Sequence, residues 1–225
     1  MNTVRSQVDL CTVPHDRSAD ALTLCRDLFG DRFQSREGLL AISLSNLNPQ
    51  NHLGIALDNL TRMERGETWS QGQNVTPCVG RLLEQLDFER LAIAAALGLQ
   101  VKTIFDHFHL SFHVPVSSIS EMIQQMHAQE NGGMGPSTAD SRYVTEDVPY
   151  GLVLTATLGR LTGQPALLHE AGIRIFSARY GHDFAAENDL LKALNLDRYD
   201  LADLEQAAMT GLLRLPAWQG YDSGS

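Results

Sequence analysis

Long apolar runs are missing from this chain. The longest, residues 91–99, holds nine residues, against about 20 for a bilayer-spanning helix. The opening residues Met1-Asn2-Thr3-Val4-Arg5 lead into no apolar stretch of a secretory signal. Cysteine is scarce. Cys11, Cys25 and Cys78 are odd in number and show no C-x-x-C spacing, which argues against a disulfide or zinc framework and fits reduced thiols in a cytoplasmic protein. Positive charge is in deficit: 17 Lys and Arg stand against 27 Asp and Glu, a net charge of −10. Nucleic acid is therefore not an expected partner, because its binding rests on a cationic surface, and neither is a membrane. No G-x-G-x-x-G occurs anywhere. The nearest approach, Gly133-Met134-Gly135, runs into Pro136-Ser137-Thr138 and follows no strand.

What is present suits a folded, mainly helical protein. At about 100–200 residues per domain, 225 residues make one domain or one and a fraction. An apolar share of 43% against 20% charged is enough to bury a core. The first fifty residues read differently from the rest. Residues 8–13 are a β-prone run ended by Pro14. A helix capped at Asp16 or Ser18 follows to Gly30, and residues 39–44 are a second apolar run. Strand, helix, strand is the βαβ pattern of a parallel sheet.

After Asn48 the pattern is helical. A helix follows His52 and stops near Gly66. Residues 76–99 give the strongest signal, with Val79, Leu82, Leu83, Leu86, Ile93 and Leu97 at three- and four-residue steps. Shorter helices are expected at 102–112, 117–130, 147–162, 165–179 and 200–213, with a loop at 131–141. Two parallel strands cannot stand alone as a sheet, and parallel sheets want both faces covered. Residues 1–47 thus read as the last βαβ piece of a larger, Rossmann-like sheet, 48–215 as a helical domain and 216–225 as a tail. The whole reads as the C-terminal portion of a two-domain protein.

Two segments carry candidate chemistry. His52 lies in Asn48-Pro49-Gln50-Asn51-His52, where the βαβ piece meets the helices, a common place for a cleft. The second segment is Arg142-Tyr143-Val144-Thr145-Glu146-Asp147-Val148-Pro149-Tyr150-Gly151-Leu152. There Thr145 or Asp147 can cap the next helix, and Pro149 suits its first turn. Together the segments hold a histidine, a carboxylate and an arginine. That set matches the needs of a 2-oxo acid reduction: an imidazole to manage the proton, a carboxylate to orient it, and a guanidinium to grip the substrate carboxylate.

These residues resemble the octopine/nopaline (opine) dehydrogenase family. The resemblance rests on Asn48-Pro49-x-x-His52 and, ninety residues on, Arg142-Tyr143-x-x-Glu146-Asp147-Val148-Pro149-x-Gly151-Leu152, with Asp87-x-Glu89-Arg90 and Ala95-x-x-Gly98 in the long helix. Leu53 stands where such proteins usually carry proline. The resemblance implies an NAD- or NADP-dependent oxidoreductase that joins an amino acid to a 2-oxo acid reductively. It implies a dinucleotide-binding domain ahead of a helical one, and an active site between the two. By resemblance His52 is the catalytic acid/base, Asp147 its carboxylate partner and Arg142 the substrate-carboxylate ligand. A partner chain that supplies the missing sheet is a further implication. The alternative is a non-catalytic chain, truncated or acting as a helical interaction partner.

Other groups carry weaker signals. Asp106, His107, His109 and His113 are dense enough to raise a metal site, but apolar neighbours interleave and no fourth ligand follows. Arg160, Arg174 and Arg179 read as solvated helix charges. His169 and His182 have no obvious partner. Trp69 and Trp218 fit core or surface-anchor roles better than a cleft.

Overall fold

The computed structural model describes residues 7–212; the expected tail and Trp218 lie outside them. Strand β1 (Val8–Leu10) and strand β2 (Phe33–Ser35) pair in parallel, with Val8 opposite Phe33 and Leu10 opposite Ser35. A 3₁₀ turn at His15–Arg17 and helix α1 (Ser18–Phe29) connect them, and α1 stops at Gly30 with φ of 84°. Strand–helix–strand is thus the observed order. Arg36, buried, staples the sheet to the helical part by donating to Asp9 Oδ2 at 3.0 Å and to the Gln100 carbonyl at 2.5 Å.

The apolar run at 39–44 is not a strand. It forms helix α2 (Leu39–Ser45), and the second strand lies earlier, in the short and half-polar Phe33–Ser35. Ala41 and Leu44 sit three residues apart and are both fully buried, a spacing that only a helix turns to one side. Leu44 joins Ile93, Ala94, Leu97, Leu158 and Leu204 in a core cluster.

Helix α3 (Asn48–Glu64) begins four residues before His52, with Pro49 in its first turn. His52 therefore stands in the second turn and not at the helix start. Helix α4 (Pro77–Ala96) packs on α3, helix α6 (Ile119–Ala128) on α4, and helix α5 (Ile104–Phe112) on α6. Capping boxes Thr103/Asp106 and Ser118/Glu121 open α5 and α6. Helix α7 (Arg142–Thr145) leads into a π turn (Val148–Leu152) and helix α8 (Val153–Leu161). Helix α9 (Leu167–Tyr180), the short α10 (Phe184–Glu187) and α11 (Asp189–Leu194), and α12 (Leu201–Thr210) complete the chain. A core through α3, α4, α5, α6, the π turn and α9 holds the helices together. Trp69 belongs to it, its ring N–H donating to the Pro136 carbonyl at 2.9 Å. No helix among the described residues is long and apolar enough to cross a membrane.

Two carboxylates of α4 tie the bundle. Asp87 and Arg90 are both 2% exposed and pair at 2.7 Å. Asp87 also accepts from the Gln50 amide and the Ile104 N–H, and Arg90 donates to the carbonyls of Leu44 and Lys102. Glu89 accepts from the backbone N–H groups of Leu168 and His169 and from the His169 ring, at 2.7, 3.2 and 2.8 Å. It caps α9 from another helix. His169, fully buried, therefore has a partner that its sequence neighbourhood does not reveal, while His182 faces Glu187, five residues on. Burial alone would raise the Glu89 pKa, but the His169 ring and these N–H groups outweigh it and hold the carboxyl below the usual range. A depressed pKa stabilises the fold above the unfolded value of about 4.3, and that stabilisation fades as pH falls through the folded value. Glu89→Gln is expected to cost about 1–2 kcal/mol at neutral pH. In chemical denaturation the gap between variant and parent should close below about pH 4. A gap independent of pH would contradict the ionised cap.

Two histidines of the α5 stretch serve the fold. The His109 ring N–H donates to the Val114 carbonyl at 2.9 Å, and His113 closes the helix in the left-handed region with φ of 56°. No group of three His, Cys, Asp or Glu among the described residues is placed to hold a metal ion.

Candidate active site

Helix α3 and the π turn meet through two small contacts that fix the site. Gly151 lies against Pro49: a Cβ at Gly151 would fall 2.4 Å from Pro49 Cγ. The buried Asn188 amide donates to the Pro149 carbonyl at 2.8 Å and anchors the turn from its far side. A proline ring on a buried helix start cannot swing aside. Gly151→Ala is therefore expected to cost about 1–3 kcal/mol, read as a lower melting temperature. Unchanged melting would show that the two segments are not packed as described.

Asp147 sits at the entry to the π turn, yet its carboxylate caps nothing. Ser141 caps α7 instead, and the Thr145 hydroxyl donates to the Ser141 carbonyl. Asp147 reaches across to α3, where its Oδ2 lies 2.5 Å from His52 Nδ1. Both side chains are 14% exposed. Tyr143 stacks flat on the His52 ring, with centroids 3.5 Å apart and planes 10° from parallel, and its hydroxyl donates to Gln71 Oε1 at 2.9 Å. Burial, and the Asp147 carboxylate after it, push the Tyr143 pKa up, while Arg142 pulls it down. The imidazole is thus held on one edge by Asp147 and on one face by Tyr143. With Nδ1 engaged, a neutral ring carries its proton there, because a carboxylate only accepts. Nε2 has no hydrogen-bond partner among the described residues and is left to exchange a proton with another molecule.

His52 forms part of the wall of a cavity of about 230 Å³. Asn48, Asn51 and Ile55 of α3 flank it on the same wall, and α5, α6 and the segments around Gln71 and Gly133 enclose the remainder. The Asn51 amide makes no hydrogen bond among the described residues, and its Oδ1 is buried. Arg142 is placed differently. Its guanidinium is about two-thirds exposed, pairs with the equally exposed Glu146 at 3.6 Å, and does not line the cavity. An exposed pair of this kind is worth about 0–1 kcal/mol, so the guanidinium is cheaply released to another carboxylate. Tyr143, Asn51 and Gln71 were not singled out by sequence. Tyr143 alone left a signal, as the neighbour of Arg142 in the motif.

This site lies within residues 35–180, which match the family profile described as NAD/NADP octopine/nopaline dehydrogenase, alpha-helical domain. The chain belongs to that family. An opine dehydrogenase from Arthrobacter sp. (strain 1C) is 30% identical over 208 residues, covering 92% of this chain and 57% of the relative. A vitopine synthase from Allorhizobium ampelinum is 28% identical over 162 residues, covering 69% of this chain and 45% of the relative. A solved octopine dehydrogenase structure, described as a complex with NADH and L-arginine, shares the fold. Its TM-score is 0.68 at 16% identity, over 88% of this chain and 56% of that one. The chain thus spans about half the length of the relatives that it matches.

The opine dehydrogenase family is NAD(P)-dependent, but the described residues do not fit a dinucleotide. A pyrophosphate needs a glycine-rich turn that opens a helix after a strand. Here Cys11-Thr12-Val13-Pro14 follows β1 without a glycine, and the Ser18 hydroxyl is engaged by the Thr12 N–H at 3.1 Å. Gly38, ahead of α2, has its open side filled by Met209, whose sulfur lies 2.8 Å from where a Cβ would stand.

Proposed function

We propose that this chain carries the acid/base and substrate-carboxylate groups of an opine dehydrogenase, an oxidoreductase that condenses an amino acid reductively with a 2-oxo acid. The NAD or NADP it uses is held outside the described residues. In this reading residues 1–47 close the dinucleotide-binding unit and 48–215 form the catalytic helical domain. The observation that carries it is the His52–Asp147 contact on a cavity wall, inside the region shared with the family.

The residues act on the condensation half of the reaction. The amine nitrogen attacks the 2-oxo carbon, a C–N bond forms, and the carbonyl oxygen leaves as water to give an imine. His52 Nε2 twice takes a proton from the attacking nitrogen and passes it to the oxygen, first forming a hydroxyl on the 2-oxo carbon and then releasing it as water, so the ring ends as it began. Asp147 keeps Nδ1 protonated and offsets the charge while both nitrogens hold protons. Arg142, leaving Glu146, grips the 2-oxo acid carboxylate with two parallel N–H groups.

A second reading, a helical chain that completes a partner's sheet, draws on the two-stranded sheet and on Leu24, Leu28 and Phe29 of α1, all more than half exposed. One experiment separates the two. The chain is joined to the portion of the Arthrobacter relative that it does not span, and supplied with an amino acid, pyruvate and NADH or NADPH. Formation of the secondary amine by mass spectrometry, matched by loss of reductant, is the expected result. A soluble, folded assembly that forms no secondary amine with any amino acid would overturn the enzymatic reading.

A further inference from the structure

Tyr143 does not line the cavity, yet it covers a face of the His52 ring. Two neutral aromatic rings usually keep their centroids about 4.5–7 Å apart, offset or edge to face. Here the centroids are 3.5 Å apart and the planes 10° from parallel. That separation is about one carbon–carbon contact distance, so the rings overlap almost squarely. Square overlap is the least favourable stacking for two neutral rings. It becomes attractive when the imidazole holds a second proton, because the electron-rich face of the phenol then lies against a cation.

The far end of Tyr143 is also held. Burial raises its pKa, so the phenol keeps its proton and donates it to Gln71 Oε1 at 2.9 Å. Gln71 stands on a fixed segment. Its backbone N–H donates to the Gly133 carbonyl at 3.0 Å, and Ser70 forms an antiparallel bridge with Met134. Gly72 lies tight against α6, where an added Cβ would fall 2.6 Å from His127 Cβ.

We infer that Tyr143, fixed by Gln71, is a positioning residue for His52: it holds the plane of the imidazole, and its π face steadies the ring while both nitrogens carry protons. The inference rests on the function read above and adds a second support beside Asp147. The two supports differ in kind. A hydrogen bond at Nδ1 fixes one point of the ring and leaves its plane free to rock. A flat neighbour removes that freedom, as packing does around any preorganised site. Tyr143 acts through His52 alone, since it does not line the cavity. Gln71 does line it, so the rival role for Gln71 is a direct contact with substrate.

The stack is tested on the full 225-residue chain by proton NMR, with the His52 ring signals assigned by their loss in His52→Ala. A ring lying on a π face has its proton signals displaced upfield. Tyr143→Leu should abolish the displacement and Gln71→Met should reduce it. Turnover is then measured in the assembled enzyme with variants that melt cooperatively. Tyr143→Leu should lower kcat by roughly 10–30-fold and leave KM for both substrates nearly unchanged. Tyr143→Phe keeps the π face and should lose only a few-fold. Phenylalanine carrying one, two or three ring fluorines at position 143 keeps the shape but drains the face, so kcat should fall stepwise along the series. Gln71→Met added to Tyr143→Phe should cost nothing more, because both cut the same hydrogen bond.

A parent whose His52 signals are not displaced, or a kcat indifferent to fluorination, would overturn the inference. Additive losses, or a KM raised by Gln71→Met, would make Gln71 a substrate contact and overturn its anchoring role. Displaced His52 signals in an assembled enzyme that forms no secondary amine would overturn the function and the charged-ring role together, and leave only the stack. Product from an enzyme without the displacement would leave the function and overturn this inference.

Discussion

Asp87→Ala is expected to cost about 3–5 kcal/mol of folding stability, the usual toll of breaking a buried ion pair from one side. Arg90 would keep its charge at 2% exposure without a counter-ion. The Gln50 amide and the Ile104 N–H would lose their acceptor in the same step. In a domain stable by about 5–15 kcal/mol in all, that is a large fraction. It should appear as a fall in melting temperature of roughly 6–20 °C, at about 2–4 °C per kcal/mol for a chain of this size. Arg90→Met should be comparably severe, because the carbonyls of Leu44 and Lys102 are then left without donors. A loss below about 1 kcal/mol in either variant would show that water reaches the pair, as it does for surface ion pairs.

Asp147→Asn should lower turnover of the assembled enzyme by about 10²–10⁴-fold, the range of general acid/base contributions. The side chain keeps its shape, but its amide can turn an N–H toward His52 Nδ1. The ring then accepts at Nδ1 and holds its proton on Nε2, the wrong tautomer for receiving one from the amine. Asp147 acts through His52 and is a positioning residue. The loss should therefore fall on kcat and kcat/KM alike, with amino-acid binding by the chain nearly unchanged. Melting should fall little, since the contact stays part-exposed. A change confined to KM would instead make Asp147 a substrate contact.

The two halves of the site were legible in sequence to different degrees. His52 and Asp147 are 95 positions apart, and no periodicity couples them. Each looked locally ordinary, the one at a helix start and the other as a helix cap, and only the motif resemblance joined them. The structure resolves this locally. Pro49 draws the start of α3 back to Asn48, and Ser141 and Thr145 serve the backbone of α7, so Asp147 is left for His52. The long helix α4 was plain because its apolar positions recur over five turns. The run at 39–44 was not, since five apolar residues in six suit a strand or a buried helix equally. The burial of Ala41 and Leu44, and the cluster that Leu44 joins with distant helices, decide it. Strand β2 escaped notice because three residues with Gln34 and Ser35 among them carry no apolar alternation. The His169–Glu89 pair and the Tyr143 stack are tertiary contacts that leave no trace in spacing. Helices α10 and α11 could have been found, as Asp183 and Asn188 cap them with their own side chains.

The acid/base role of His52 is the centre of this account, and turnover and folding of His52→Ala, measured side by side, test it most directly. The ring is 14% exposed and already borders the cavity, so its loss enlarges a space already present and the variant should melt within a few degrees of the parent. Its turnover in the assembled enzyme should fall by at least about 10²-fold. A cooperatively folded His52→Ala that turns over within a few-fold of the parent would contradict the assignment, however close His52 stands to Asp147.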